Sequence, residues 1–325
     1  MKTIAVICGG YSGEYDISVQ SAHMVKENLD PELYNSYVVY IEKDGWYHLN
    51  DEKERTEINR DDFTLSVAGN TIKFDGVFNA IHGTPGEDGK ILAYFDMLGI
   101  PYSSSDFDVS ALTFNKYHCN NFVRTLGLNL ANSVSFKKGD NYNSDEIADL
   151  LGLPVFVKPA RSGSSVGVTK VKVKEDLESA IVKALDVDSR VIIEEFIQGR
   201  EIDCGVLKFK DEMIVLPLTE IISGNEFFDY EAKYTAGKAD EVTPPENLET
   251  NYEMEIKATS SMLYNKLGCK GVVRVDYILA DDALYFIEIN TVPGLSEASI
   301  VPKQANVMGI PISKLFEMTI ENMFQ

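Results

Sequence analysis

The chain has 325 residues, 44% of them hydrophobic and 25% charged, more than one hydrophobic core usually serves, so two or three packed domains are expected. Its 30 Lys and Arg stand against 51 Asp and Glu, a formal net charge of −21, and so acidic a surface argues against nucleic acid and anionic lipid as partners. No run approaches the ~18 consecutive apolar residues of a membrane helix. The four cysteines (Cys8, Cys119, Cys204 and Cys269) form no C-x-x-C pair, which favours free thiols over zinc binding or thiol catalysis.

In chain order, MKTIAVICGG moves from one Lys through a short apolar run into Gly-Gly and then acidic residues. A signal peptide would stay apolar and end at small residues, so the run reads as a first strand and a cytoplasmic protein is expected. Next, ISVQSAHMVKENL puts Val19, Ala22, Val25 and Leu29 on one side of a helix that ends at Asp30-Pro31. SYVVYIEK is a second strand, TIKFDGVFNAIHG ends in another that breaks at Gly83, and KILAYFDMLG is an apolar helix. This alternation predicts an α/β fold with an open, mostly parallel sheet whose ligands bind at the carboxyl ends of its strands.

The middle differs. Asp106 to Leu126 reads as helical, and LPVFVKPARSGSSVGVTKVKV as strand, Gly/Ser loop and strand. A helix over KEDLESAIVKAL buries Leu177, Ala180, Ile181 and Ala184. Strands follow in RVIIEEFIQGREIDCGVLKF and EMIVLPLTEII, and Ser223 to Pro245, with no clear period, reads as a long loop. A helix from Tyr252 to Leu267, strands VVRVDYIL and ALYFIEIN, and a last helix complete the chain.

Five stretches carry chemistry. In GGYSGEYDIS, Glu14 sits at a helix start where an anion would otherwise dock, a place suited to an ammonium partner or to the helix N-terminus itself. HGTPGEDG, with His82, is a second Gly-rich strand end that should face the same crevice. In VFVKPARSGSSVGV, Lys158 lies on a buried apolar strand and needs an anion. The loop after it offers backbone N–H groups and the hydroxyls of Ser164 and Ser165 to phosphate oxygens. VIIEEFIQGRE carries Glu194, Glu195 and Glu201 at an edge where adenine and ribose could be held, or else a merely solvated charge run. Finally, if Asp281 to Ala283 form a three-residue hairpin loop, Asp276 faces Glu288 and Arg274 faces Asn290. Two carboxylates and an amide on one face suit a hard cation such as Mg²⁺.

Together with IPYSSSDFDVSAL, FFDYEAKY and EINTVPGLSEASIVP, these stretches recur in an order that resembles the D-alanine–D-alanine ligases of the ATP-grasp superfamily, from about Ile4 to Leu315. The resemblance implies a Rossmann-like domain over 1–103, a central ATP-grasp subdomain over 104–190 and a C-terminal one over 191–325. It implies that Lys116 and Lys158 bind ATP phosphates under the loop at Ser164 and Ser165, with Glu194, Glu195, Ile197 and Glu201 around the nucleotide. Asp276, Glu288 and Asn290 would hold two Mg²⁺ ions, for which Mn²⁺ can substitute. Arg274 and the backbone at Gly294 would hold the oxyanion. Glu14 would engage the first D-alanine's ammonium, with His82 nearby, and Ser299 the second substrate's carboxylate. Lys233 and Tyr234 would form a lid, and a homodimer is implied. The chain departs from the usual family pattern at Tyr15, Asn115 and Asn120.

Overall fold

A computed structural model of the chain describes residues 1–223, 239–281 and 283–325. Three sheets succeed one another. The first holds β1 (Lys2–Gly9), β2 (Tyr34–Ile41), β3 (Trp46–Leu49), β4 (Arg55–Asn59), β5 (Thr64–Val67), β6 (Asn70–Ile72) and β7 (Gly76–Asn79), in the order β6-β5-β4-β3-β2-β1-β7. Only β2, β1 and β7 run parallel; β3 to β6 form an antiparallel meander on the far side of β2. The sequence reading missed that meander because its strands are three to five residues long and mostly polar, too short to display a period. The parallel trio is the part that matters for ligands, since β1, β2 and β7 end side by side.

Helix α1 (Tyr15–Asn28) covers one face of this sheet, where Ala22 and Val25 meet Ile4, Val6 and Val38. Helix α2 (Lys90–Leu98) covers the other face through Ile91, Leu92 and Phe95. The stretch expected as one helix from Asp106 is two, α3 (Phe107–Phe114) and α4 (Lys116–Thr125). Asn115 separates them in extended conformation and accepts from the His118 N–H at 3.3 Å as the N-cap of α4.

The second sheet, in the order β10-β9-β11-β8, contains β8 (Ser133–Lys137), β9 (Val155–Pro159), β10 (Thr169–Val171) and β11 (Arg190–Glu195). Helices α5 (Ser144–Leu151) and α6 (Leu177–Val187) back it, with Leu177, Ala180, Ile181 and Ala184 in its core. Because β11 pairs with β8 and β9, this sheet runs past the boundary expected at 190. The helices at the start of the expected central subdomain pack elsewhere: Val109, Cys119 and Val123 belong to the core of the third sheet.

That third sheet holds β12 (Arg200–Phe209), β13 (Glu212–Val215), β14 (Thr219–Ser223), β15 (Ala239–Val242), β16 (Val272–Ala280) and β17 (Ala283–Asn290). The long loop expected from Ser223 to Pro245 therefore contains a strand: β15 pairs antiparallel with β14, Glu220 opposite Val242. A four-residue edge strand with two acids carries no apolar alternation to reveal it. Helix α7 (Thr250–Leu267) backs the sheet with Ile256, Leu263 and Tyr264, and α8 (Ile300–Val307) and α9 (Ile312–Asn322) close the chain. Phe316 and Ile320 of α9 return to the first sheet, where Phe316 meets Phe78 edge-on at 5.7 Å, a contact worth about 0.5–1.5 kcal/mol beyond burial.

Candidate active site

The site lies where the three sheets face one another, and its first wall is the turn after β1. Gly10 N–H donates to Ile41 O at 2.9 Å and Tyr11 N–H to Thr84 O at 2.8 Å, which suspends the turn between the ends of β2 and β7. Glu14 sits just before α1, buried, its N–H donating to Ser12 Oγ at 3.2 Å. Tyr15 turns away from it and donates its hydroxyl to Glu42. His82 is buried, with Nδ1 3.0 Å from Val292 O and Nε2 3.1 Å from Ser21 Oγ. A carbonyl can only accept, so Nδ1 carries the proton and Nε2 accepts from Ser21. Burial holds its pKa below the ordinary imidazole value, so the ring is neutral, a strut between α1 and the 292 loop.

Glu87, in the same HGTPGEDG stretch as His82, was not singled out from the sequence. It is buried, accepts from Gly83 N–H at 3.0 Å, and has its pKa pushed up to about 8 by desolvation and then by the charge of Glu14. Nothing in HGTPGEDG signals that this acid, and not its neighbour Asp88, points inward.

The second wall is the β9–β10 hairpin. Lys158 on β9 is 8% exposed, and its Nζ lies 2.5 Å from Glu194 Oε2 on β11. Lys158 stands opposite Ile192, so Glu194 is its diagonal neighbour on the same face. Asn120 donates to the other oxygen of Glu194 at 3.0 Å. Glu195, pointing to the opposite face, accepts from Asn132 N–H at 2.8 Å and from its amide at 3.0 Å; that side chain is committed away from Lys158. Phe156 shares the Lys158 face and meets Phe196 at 5.9 Å and a 58° tilt, with Lys170 Nζ 3.6 Å from the Phe196 ring centroid; Ile197, next in sequence, is half-buried. Glu201 begins the third sheet on β12, opposite Ile278.

The loop beyond Lys158 bends back through Ser164 and Ser165, both in left-handed conformation at φ 46° and 59°. Ser164 Oγ donates to Glu14 Oε1 at 2.5 Å. Gly163 makes this approach possible: a Cβ there would lie 2.4 Å from Glu14 Oε2.

The third wall is the β16–β17 hairpin. Its register pairs Arg274 with Asn290 and Asp276 with Glu288, as expected, but by another route. Ala280 pairs with Ala283, which leaves two residues in the turn, and a bulge after Asp276 restores the expected pairing. Arg274 donates from Nε and Nη2 to the two oxygens of Asp276, each at 2.7 Å, while Nε also lies 3.1 Å from Asp203 Oδ2. Burial alone would lower its pKa, yet Asp276 and then Asp203 outweigh that and hold the guanidinium charged. Asp203 was overlooked at the sequence level; a lone acid between Ile202 and Cys204 in an apolar strand was the available signal. Asn290 Nδ2 donates to Asp276 Oδ2 at 3.0 Å.

Lys116, the first residue of α4, joins the walls: its Nζ lies 3.0 Å from Glu288 Oε2 and 2.9 Å from Ser162 O. Burial would lower its pKa, but Glu288, in charge and hydrogen bond, then Glu87 and Glu194, raise it. A lysine at a helix N-terminus opposes the helix dipole, and Glu288 and Ser162 O hold Lys116 in that place. Ser299 precedes α8, its Oγ 2.8 Å from Ser296 Oγ, and a Cβ on Gly294 would lie 2.7 Å from Ser299 Oγ. Lys233 and Tyr234 lie outside the described residues.

The comparisons with known proteins bear on the whole chain. The family model described as D-ala D-ala ligase N-terminus matches residues 3–105, and that described as D-ala D-ala ligase C-terminus matches residues 122–321. The chain belongs to the D-alanine–D-alanine ligase family. It is 44% identical to the D-alanine–D-alanine ligase of Flavobacterium johnsoniae over 99% of both chains. Among solved structures, D-alanyl-alanine synthetase A from Vibrio cholerae superposes with a TM-score of 0.90 at 26% identity, covering 100% of this chain and 99% of that one. The VanG D-Ala:D-Ser ligase from Enterococcus faecalis reaches 0.85 at 34% identity over 99% of each chain. Members of this D-alanine–D-alanine ligase family are ATP-dependent ligases, and the mixed α/β ATP-grasp architecture is shared.

Proposed function

We propose that this chain joins two D-alanines to D-alanyl-D-alanine at the expense of ATP, with a D-alanyl phosphate between the two steps, as a supply of peptidoglycan precursor. The observation that carries the reading is the meeting of Glu14 and Ser164. It links an amino-acid-binding carboxylate on the first sheet to a phosphate loop on the second, beside the two lysines. A carboxylate is a poor electrophile until it is phosphorylated, so such a site must hold an amino acid and a nucleotide together.

In this reading Glu14 takes the ammonium of the first D-alanine, whose carboxylate oxygen attacks the γ-phosphorus as ADP leaves. Lys116 and Lys158 hold the transferring phosphate, each released from its glutamate partner by a stronger anion. Glu194, Ile197 and Glu201 flank the adenosine; the Glu195 side chain, bound to Asn132, takes no part. The amine of the second D-alanine, its carboxylate at Ser299 and the N-terminus of α8, then attacks the carbonyl carbon and phosphate departs. Arg274 Nη1 has no protein partner among the described residues, which leaves it for the oxyanion, with the Gly294 N–H opposite. His82 orients α1 against the 292 loop. The resemblance gives Lys233 and Tyr234, which lie outside the described residues, a lid role that keeps water from the acyl phosphate.

The donors of Asp276, Glu288 and Asn290 suit Mg²⁺ or Mn²⁺. All are oxygen ligands on adjacent strands, and two carboxylates with one amide leave positions that phosphate oxygens complete. Among the described residues no three His, Cys, Asp or Glu side chains gather as a metal site. Two such ions would neutralise the phosphate charge that develops in transfer. A cytoplasmic homodimer accords with this role; no helix among the described residues is long and apolar enough to cross a membrane.

The test is phosphate release from MgATP with D-alanine, L-alanine, D-serine and D-lactate, with products identified by mass. Release with D-alanine alone and a dipeptide product supports the reading. Release only when D-serine or D-lactate joins D-alanine keeps the mechanism and changes the second substrate, and no release with any of them removes it.

A further inference from the structure

The residue after Glu14 makes a contact that the reaction above does not use. The Tyr15 hydroxyl donates to Oε1 of Glu42, the residue that follows β2. The Tyr47 hydroxyl, from β3, donates to the same oxygen at 2.8 Å. Tyr47 is itself fixed: Tyr40 stacks on it at 5.2 Å and an 8° interplanar angle, and the Arg55 guanidinium lies 3.9 Å from its ring centroid. The Tyr15 ring lies against the backbone of Gly9, where a Cβ would come within 3.0 Å of Cε2. One carboxylate oxygen thus ties the first residue of α1 to the β2–β3 hairpin, on the side of the turn opposite His82.

We propose that Tyr15 and Glu42 are positioning residues for the first amino-acid substrate, pinning the start of α1 so that the Glu14 carboxylate stands against Gly163 and Ser164. The inference rests on the reading of Glu14 as the ammonium partner. Neither side chain reaches the reacting groups; each acts through the backbone of the turn. A hydrogen bond to an ionised acceptor is stronger than a neutral one, and its loss lets residues 11–15 relax toward solvent. Glu14 then meets the ammonium in a wider range of positions, which weakens ground-state binding without disturbing the phosphate side.

The experiment compares the full-length wild type with Tyr15→Phe, Glu42→Ala, Glu42→Gln, Tyr47→Phe and the Tyr15→Phe/Glu42→Ala double variant. Phosphate release is measured across D-alanine and ATP concentrations, fitted for two D-alanine sites, alongside melting temperature. Tyr15→Phe and Glu42→Ala should each raise the first-site KM roughly tenfold, with the ATP KM and kcat within about threefold. The double variant should cost no more than Glu42→Ala alone, because that substitution already removes the Tyr15–Glu42 bond. Glu42→Gln, whose amide oxygen still accepts, should recover most of the loss, and Tyr47→Phe, off the turn, should stay within about twofold. A lowered melting temperature with an unchanged first-site KM, or an equal rise in the ATP KM, would overturn the proposal in favour of a structural role. Should Glu14→Gln keep the wild-type first-site KM, the reading of Glu14 itself fails and takes this inference with it; that arm involves neither Tyr15 nor Glu42, so the two failures are told apart.

Discussion

Glu14 and Ser164 stand 150 positions apart in sequence and meet at 2.5 Å, the carboxylate at the start of α1 accepting from the hydroxyl of the phosphate loop. In the proposed reading the contact couples occupancy of the amino-acid pocket to the posture of the loop. Ser164→Ala should therefore raise the first-site KM for D-alanine about five- to tenfold, with a smaller effect on ATP. Steady-state phosphate release checks this, and an effect confined to ATP would contradict it.

Gly163 is the second half of that contact. A methyl group at this position would lie 2.4 Å from Glu14 Oε2, so Gly163→Ala must push the loop or the carboxylate aside. The variant should lose at least tenfold in kcat/KM for D-alanine while melting within a few degrees of wild type, because the loop contributes little buried apolar surface.

Glu288 is bound to Lys116 and belongs to the oxygen cluster of the third wall. In the proposed reading Glu288→Gln removes a metal-ligating charge and weakens the ion pair to Lys116, which keeps Ser162 O, so turnover should fall by about 10²–10³ or more, with the far-ultraviolet circular dichroism unchanged. Wild-type-like activity would refute the metal assignment.

Glu87 gives a pH prediction. Its pKa rises from 4.5 to about 8 through burial and the nearby Glu14 charge. Between those values the folded state keeps a proton that the unfolded state has lost, so stability falls as pH rises from about 4.5 to about 8 and is level above. Glu87→Gln should flatten this slope, melting close to wild type at pH 5 and several degrees higher at pH 8. Parallel pH profiles for the two proteins would show that Glu87 does not titrate in this range.

The sequence disclosed what is local and repetitive in type. The strand that breaks at Gly9 was legible from its apolar run and turn residues, whereas β7 stops at Asn79 and not at Gly83, and the facing pair Asp276 and Glu288 was reached through a two-residue turn and a bulge in place of the expected three-residue loop. What escaped it depended on contacts between distant segments. Asp203 matters because β12 lies beside β16, and Glu87 because the 83–89 loop folds under Glu14. The Glu195 side chain left the nucleotide face because β11 alternates, a fact available in the sequence once the strand's start was fixed. The β3–β6 meander was invisible for a plainer reason: its strands are three to five residues long, too short to display a period although Ile58 and Leu65 are buried.

The return of α9 to the first sheet has a consequence for how the chain is made. Phe316 and Ile320 finish the apolar layer that Ile4, Val6 and Phe78 begin, so one face of the first sheet waits for residues far downstream of it to be synthesised. At synthesis rates of roughly 5–20 residues per second that wait is tens of seconds. During it the nascent amino-terminal half carries a partly uncovered hydrophobic surface, a natural landing place for chaperones and the point at which truncated products would aggregate.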